Sequence, residues 1–280
     1  MGTVRIVTDS ASDLPPEMAA ELGISVVPLQ VIFGREVYRD GIDLTPEEFF
    51  EKLANSPVLP RTSQPSVGAF EEVFERLCQE TDSILSINLS SSLSGTYNSA
   101  QIARDSFRQR CNIEVIDSRL ASMGLGLVAA SCARLAREGA DLREVSNYAK
   151  RLIPNVHILF AVETLDYLQR GGRLGRAQAF VGSLLNIKPL LKIEEGEVRP
   201  SEKVRTRGKA LDRLVEFVEL FPAIRELVVM HATTPADVDL LIKRIEPIVP
   251  REKIMVARFG PVVSTHTGPG VIGMIVADSF

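Results

Sequence analysis

Three short segments bring together serine, threonine, glycine and a single histidine, residue types that grip an anion through hydrogen bonds. The densest is Ser90-Ser91-Ser92-Leu93-Ser94-Gly95-Thr96-Tyr97, which follows an apolar run and precedes a helical pattern. In an α/β sheet the carboxyl end of a strand opens onto the ligand crevice. The next helix presents unpaired N–H groups and the positive end of its dipole there, a place that suits an anion. Ser94 can donate a hydrogen bond, and Gly95 has no Cβ to keep a ligand from the main chain. A turn with an N-cap needs one hydroxyl. The five serine and threonine hydroxyls from Ser90 to Thr96 exceed that need, and the segment is expected to bind a ligand.

Thr62-Ser63-Gln64-Pro65-Ser66 is the second segment. Ser66 is expected to cap a helix over 67–78, which leaves Thr62 and Ser63 unassigned; on its own the segment reads as a turn set by Pro60 and Pro65. The third is Ser264-Thr265-His266-Thr267-Gly268-Pro269-Gly270. Gly268, Gly270 and Gly273 formally spell GxGxxG, but Pro269 stiffens the stretch and no βαβ unit follows, which makes a dinucleotide site a weak reading. His266 sits among hydroxyls and glycines that offer it no apolar packing. It is expected to donate a hydrogen bond to an anion or to accept one from a neighbouring hydroxyl.

An enzyme built from the same residues is the alternative. Ser94 with His266 suggests a hydrolase, and Asp9 after the first strand suggests phosphoryl transfer. Leu93-Ser94-Gly95 is not a GxSxG elbow, however, and no carboxylate is evidently placed to orient the imidazole. Asp9 and Asp13 are four residues apart, not two, and Asp13 is expected to cap the helix opened by Pro15. Cys78, Cys111 and Cys132 read as buried free thiols, and with His157, His231 and His266 they make no CxxC, HxH or HExxH spacing. Neither a metal nor a cofactor is expected, and binding without catalysis is the preferred reading.

Between Gln169 and Lys209 ten basic residues face four acidic ones, in a chain whose net charge is −4. Few aromatics interleave to stack bases, so nucleic acid is not expected as a partner. Arg173 in Gly171-Gly172-Arg173 stands out because flanking glycines leave its guanidinium fork open to a phosphate or an acidic partner.

The elements that must position these groups alternate between short β-branched runs and amphipathic helices. Strands are expected at Val4 to Thr8, Ile24 to Phe33, Ser83 to Leu89, Ile113 to Ile116 and Val156 to Val162; one helix between them opens on a Thr45-Pro46-Glu47-Glu48 capping box. The pattern is α/β, a mostly parallel sheet covered by helices. Beyond Val162 come a glycine- and arginine-rich stretch, a hairpin over Ile187 to Val204 around Glu195-Gly196, further helix and strand units, and a closing run Val271 to Ala277. Two lobes are expected, 1–162 and a smaller mixed-sheet α/β lobe 163–280. With 280 residues, 45% of them hydrophobic, the chain can bury two cores with a cleft between them. Gly124 to Ala133 is too short for a membrane span, no signal core is visible, and a cytoplasmic location is expected.

Several motifs occur together in one order: Val7-Thr8-Asp9-Ser10, Val27-Pro28-Leu29, Asp40-Gly41, Thr62-Ser63-Gln64-Pro65, Ser91 to Tyr97, Asp117-Ser118, Leu168 to Leu174 and His266-Thr267-Gly268-Pro269-Gly270. In these the whole chain resembles the DegV family, fatty-acid-binding subunits of bacterial fatty acid kinase systems. The resemblance implies two α/β lobes with a long-chain fatty acid in a tunnel between them, its carboxylate held by Thr62 and Ser94 with His266 nearby. It further implies a separate ATP-dependent fatty acid kinase subunit that phosphorylates the bound carboxylate. Arg173 would serve that partner or the transferred phosphoryl group, and the acyl phosphate would feed phospholipid synthesis.

Overall fold

The computed structural model describes residues 3–180 and 187–279. β1 (Arg5–Asp9) runs into a turn of 3-10 helix at Ser10–Ser12, then α1 (Pro16–Leu22) and β2 (Ser25–Val27). Pro28 has no N–H to continue a ladder, and the chain leaves the sheet there: β3 (Gln30–Phe33) pairs antiparallel with β4 (Glu36–Arg39). The sequence suggests one strand over Ile24 to Phe33; the structure makes two, in different sheets. α2 (Pro46–Asn55) opens on the expected capping box, in which Thr45 Oγ1 accepts from the Glu48 N–H and the Glu48 carboxylate accepts from the Thr45 N–H. β5 (Arg61–Ser63) pairs back on β3 to complete a three-stranded sheet. α3 (Val67–Leu77), capped by Ser66, leads through β6 (Ser83–Asn88), α4 (Thr96–Asp105) and β7 (Asn112–Asp117) to α5 (Met123–Arg137) and α6 (Leu142–Leu152).

Strands β2-β1-β6-β7, in that order, form a four-stranded sheet with every pair parallel. The carboxyl ends of β1, β6 and β7 therefore open on one edge. Their loops hold one another there, Ser90 N–H donating to Leu120 O at 3.0 Å and Ser122 N–H to Ala11 O at 2.8 Å. Asp13 does not cap α1, which starts after Pro15 with no side-chain cap. Its carboxylate is buried and accepts instead from the Gly260 N–H at 2.9 Å and the Ser122 hydroxyl at 2.5 Å.

The remaining elements are β8 (Val156–Ala161), α7 (Asp166–Arg170), β9 (Lys188–Glu194), β10 (Glu197–Val204), α8 (Arg207–Glu219), β11 (Ile224–His231), α9 (Pro235–Ile245), β12 (Ile254–Arg258), α10 (Pro261–Thr267) and β13 (Ile272–Asp278). Six strands pair in the order β10-β9-β8-β13-β11-β12, and only β11 with β12 is parallel. The β9–β10 hairpin turns on Glu195 and Gly196, both at positive φ (54° and 82°), the pattern of the type I′ turn whose twist matches the flanking strands. Sequence periodicity groups β8 with the first lobe. Its bonds to β9 and β13 put it in the second sheet, because strand pairing is decided by non-local contacts that periodicity does not record. We propose the lobe boundary just ahead of Val156 instead of after Val162.

α5 lies between the two larger sheets, packed on β1 and β6 on one side and on β8 and β13 on the other. Every residue from Met123 to Ala133 is buried. A Cβ on Gly124 would come within 2.6 Å of Ile158 Cδ1, so the absence of a side chain lets the helix reach the second sheet. Outside the sheets, Phe70, Phe74 and Phe107 pack under α3 and α4, and Leu211, Leu214 and Leu241 under α8 and α9. Each such side chain contributes roughly 1.5–3 kcal/mol on burial. The layers thus run α3 and α4, parallel sheet, α5, mixed sheet, α8 and α9.

Candidate ligand-binding site

Ahead of the first turn of α5 lies a cavity that opens to solvent, with about 810 Å³ of empty space when that open solvent is counted. Period-2 alternation turns Ile158 and Phe160 of β8, Gly273 and Ile275 of β13, Met230 of β11, Ile193 of β9 and Val198 of β10 onto it. Ala11, Leu89, Leu93 and Ala121, from the loops at the carboxyl edge of the parallel sheet, form the opposing wall. Among the described residues, polar side chains line it at Thr62, Ser94, Ser122, Arg173, His266 and Thr267. Two of these are occupied within the fold, Ser122 donating to Asp13 and Thr267 Oγ1 to Val263 O. Thr62, Ser94, Arg173 and His266 are the others, and their bonds decide which of them keeps a proton for a guest.

Thr62 on β5 and His266 on α10 meet at 2.8 Å, Oγ1 to Nε2. Burial, assisted by the Arg173 cation, lowers the imidazole to about 4, so the ring is neutral at pH 7. Its Nδ1 is buried without a hydrogen-bond partner. It stands against the α-carbon of Gly171, where a Cβ would come within 2.1 Å. An acceptor lone pair tolerates that C–H surface better than an orphaned N–H would, and we assign the ring proton to Nε2. Nε2–H then donates to Thr62 Oγ1, which leaves the Thr62 hydroxyl proton for a ligand.

Ser94 has the same freedom. Its Oγ accepts from the Thr96 N–H at 3.3 Å and lies 2.9 Å from Thr96 Oγ1. Thr96 is fully buried, so we assign the donation in this pair to its hydroxyl, which leaves the Ser94 proton for the cavity. Arg173 donates from Nε to Leu93 O at 3.0 Å and from its guanidinium to Gly171 O at 2.6 Å. It crosslinks the turn beneath His266 to the loop that carries Ser94.

Other expectations for these segments change. The space over Gly95 is filled by the Gln64 amide, which would lie 2.1 Å from a Cβ there, so the main chain at Gly95 is approached by Gln64 and not by the cavity. Most of the surplus hydroxyls have structural work: Ser90 donates to Gly196 O at the hairpin tip at 2.7 Å, and Ser91 donates to Asp117. In α10 the Ser264, Thr265 and Thr267 hydroxyls donate to carbonyls of their own turn, leaving His266 as that segment's contribution. Sequence reasoning missed a second, outer pocket that shares Thr62, Arg173 and His266 with the cavity and adds Arg61, Arg170, Tyr167 and Gly171. The ring of Tyr167 packs where a Cβ on Gly268 would stand, 2.3 Å away.

A family model described as an uncharacterised protein of the DegV family matches residues 3–279. The chain belongs to the DegV family. A DegV domain-containing protein of Halalkalibacterium halodurans is 41% identical over 280 residues, 98% of each chain. Two solved structures superpose over all of this chain and all of theirs. One, from Thermus thermophilus, is a DegV family protein described by its fatty acid binding (TM-score 0.92, 35% identity). The other is DegV of Bacillus subtilis, described as a fatty acid binding protein (TM-score 0.89, 34% identity).

In this DegV-family chain the pieces of a hydrolase are not joined. His266 bonds Thr62, Ser94 bonds Thr96, and Asp9 is buried elsewhere, accepting from the Leu89 N–H at 2.8 Å and the Ala11 N–H at 3.2 Å. A nucleophile, base and orienting carboxylate need mutual hydrogen bonds. Among the described residues no group of three or more histidine, cysteine, aspartate or glutamate side chains could hold a metal ion, and no helix is long and apolar enough to cross a membrane.

Proposed function

We propose that this chain is a non-catalytic carrier of a long-chain fatty acid. The tail lies in the apolar cavity, the carboxylate accepts from the Thr62 and Ser94 hydroxyls, and His266 holds Thr62 from behind. A separate ATP-dependent kinase subunit phosphorylates the carboxylate in place. The observation that supports the reading most directly is one cavity whose apolar walls meet the polar side chains of Thr62, Ser94, Arg173 and His266, with the Thr62 and Ser94 hydroxyl protons left for a guest. Fatty acid binding by the Thermus and Bacillus proteins points the same way.

The energetics suit a carrier. About fifteen methylenes at about 0.8 kcal/mol each give roughly 12 kcal/mol before ordering costs. Each hydrogen bond to the carboxylate adds about 1.5–3 kcal/mol. The tail supplies affinity, and the hydroxyls supply position. Arg61, Arg170 and Arg173 line the outer pocket, where positive charge favours a phosphoryl donor. Organic extraction of the purified protein followed by mass spectrometry is expected to recover stoichiometric fatty acid. Recovery of none, with no uptake of added acid, overturns the reading.

A further inference from the structure

We infer that Gly171 is a positioning residue of the carboxylate clamp: the side chain it lacks leaves the seat for the His266 ring, and its carbonyl, through Arg173, fixes that seat to the Ser94 loop. The inference rests on the reading that Thr62, Ser94 and His266 hold a carboxylate.

Gly171 ends α7 with φ −74° and ψ −8°, an ordinary right-handed conformation open to any residue, whereas Gly172 beside it has φ +67°. Backbone freedom therefore does not call for glycine at 171; space does. A Cβ there would lie 2.1 Å from His266 Nδ1 and 2.9 Å from Cε1. The ring has no easy retreat. Its far side bonds Thr62 at 2.8 Å, its neighbours Thr265 and Thr267 are buried, and the start of α10 is held by Asp13 through Gly260. The contact is reciprocal, since Tyr167 of α7 packs on Gly268 just past α10. Two positions without side chains interlock α7 with α10, and Arg173 carries the lock to Leu93 O. A methyl group at 171 must push the imidazole off Thr62 or move α7 and Arg173 with it.

The test is a double-mutant cycle of Gly171→Ala and His266→Ala in the full chain, with palmitate as the probe. Three measurements apply: palmitate affinity, lipid-free melting temperature, and the ring-nitrogen NMR signals of His266. In the His266 background Gly171→Ala is expected to change the ring signals away from a single Nε2–H form and to weaken palmitate binding about tenfold, the loss of one charge-directed hydrogen bond. In the His266→Ala background it is expected to change affinity less than about twofold, because with the imidazole gone the nearest of the three atoms that crowd a Cβ there is Tyr167 O at 3.1 Å. Equal losses in both backgrounds, or unaltered ring signals, overturn the inference. Should Gly171→Ala fold only when His266 is also removed, the seat is supported; failure to fold in both backgrounds refutes it. If the parent protein binds no palmitate, the carrier reading fails, while the ring signals and melting temperatures still decide the seat.

Discussion

Replacing Asp40 with asparagine is expected to stabilise the fold at high pH and much less at low pH. Asp9, Asp13 and Asp40 are all buried. Desolvation raises Asp9 to about 6, Asp40 to about 7 and Asp13 well above the ordinary carboxylate range, and mutual repulsion adds to the rise of Asp13 and Asp40. A carboxyl whose folded pKa is raised contributes stability that is complete below its unfolded pKa and is lost as pH climbs through the folded value. For Asp40 the rise from 3.8 to about 7 is about three units, or about 4 kcal/mol at 1.36 kcal/mol per unit. Roughly one unit is gone by pH 5, where only the unfolded chain has released the proton, so ~3 kcal/mol separates pH 5 from pH 8. His266, lowered to about 4, acts oppositely, adding stability as pH rises from 5 to 7. Comparing Asp40→Asn with the parent at each pH cancels that contribution, and the amide oxygen can still accept from the Val262 N–H. Urea melts followed by circular dichroism should show the variant's advantage growing by ~3 kcal/mol between pH 5 and pH 8. An offset that does not change with pH refutes the reasoning.

Thr62→Ala and Ser94→Ala each remove a proposed donor to the carboxylate, worth about 1.5–3 kcal/mol. Each should weaken fatty acid binding by roughly 10- to 100-fold and lower lipid-free stability by about 1–3 kcal/mol, because the His266 Nε2–H and the Thr96 hydroxyl lose their acceptors; calorimetric titration showing parental affinity in the double variant would contradict the clamp. Ser90→Ala leaves the Gly196 carbonyl without the donor 2.7 Å away, at a cost of about 1 kcal/mol. Amides of β9 and β10 should then exchange hydrogen faster, and undiminished protection by mass spectrometry would show that the hairpin tip does not depend on this bond.

Local chemistry accounts for what was readable in the sequence. Thr45 with Glu48, Ser66, and Glu195-Gly196 announce their elements because a cap or a turn is decided within a few residues. Assignments that depend on distant partners were not readable. Pro28 divides one apolar run between two sheets, β8 joins strands that follow it, and Asp13 serves α10 instead of α1. The site divides in the same way. Hydroxyls after a strand end mark a polar loop, but nothing local tells Ser94, which faces the cavity, from Ser90, which fastens the hairpin. The walls were hidden for a related reason: Ile158, Phe160 and Ile275 alternate as any core strand residues do, and an apolar cavity differs from a core only in what is missing from it. Gly171 gave a signal, a glycine pair before arginine, but the signal pointed to Arg173 and the space served His266.

The two ends of α10 explain why the imidazole can be both neutral and useful. At its start Asp13 and Asp40 accept from the Gly260 and Val262 N–H groups; at its end His266 is set between Thr62 and Gly171. A helix of seven residues makes too few internal bonds to hold itself, so these outside contacts fix it. With the ring immobile and uncharged, Thr62 has one direction left for its proton. For the proposed carrier that direction matters more than bond strength, because a tail worth roughly 12 kcal/mol would keep the acid bound even in a misaligned cavity. A misplaced carboxylate would still be carried; only an aligned one would present its oxygen at a reproducible point to the proposed kinase subunit.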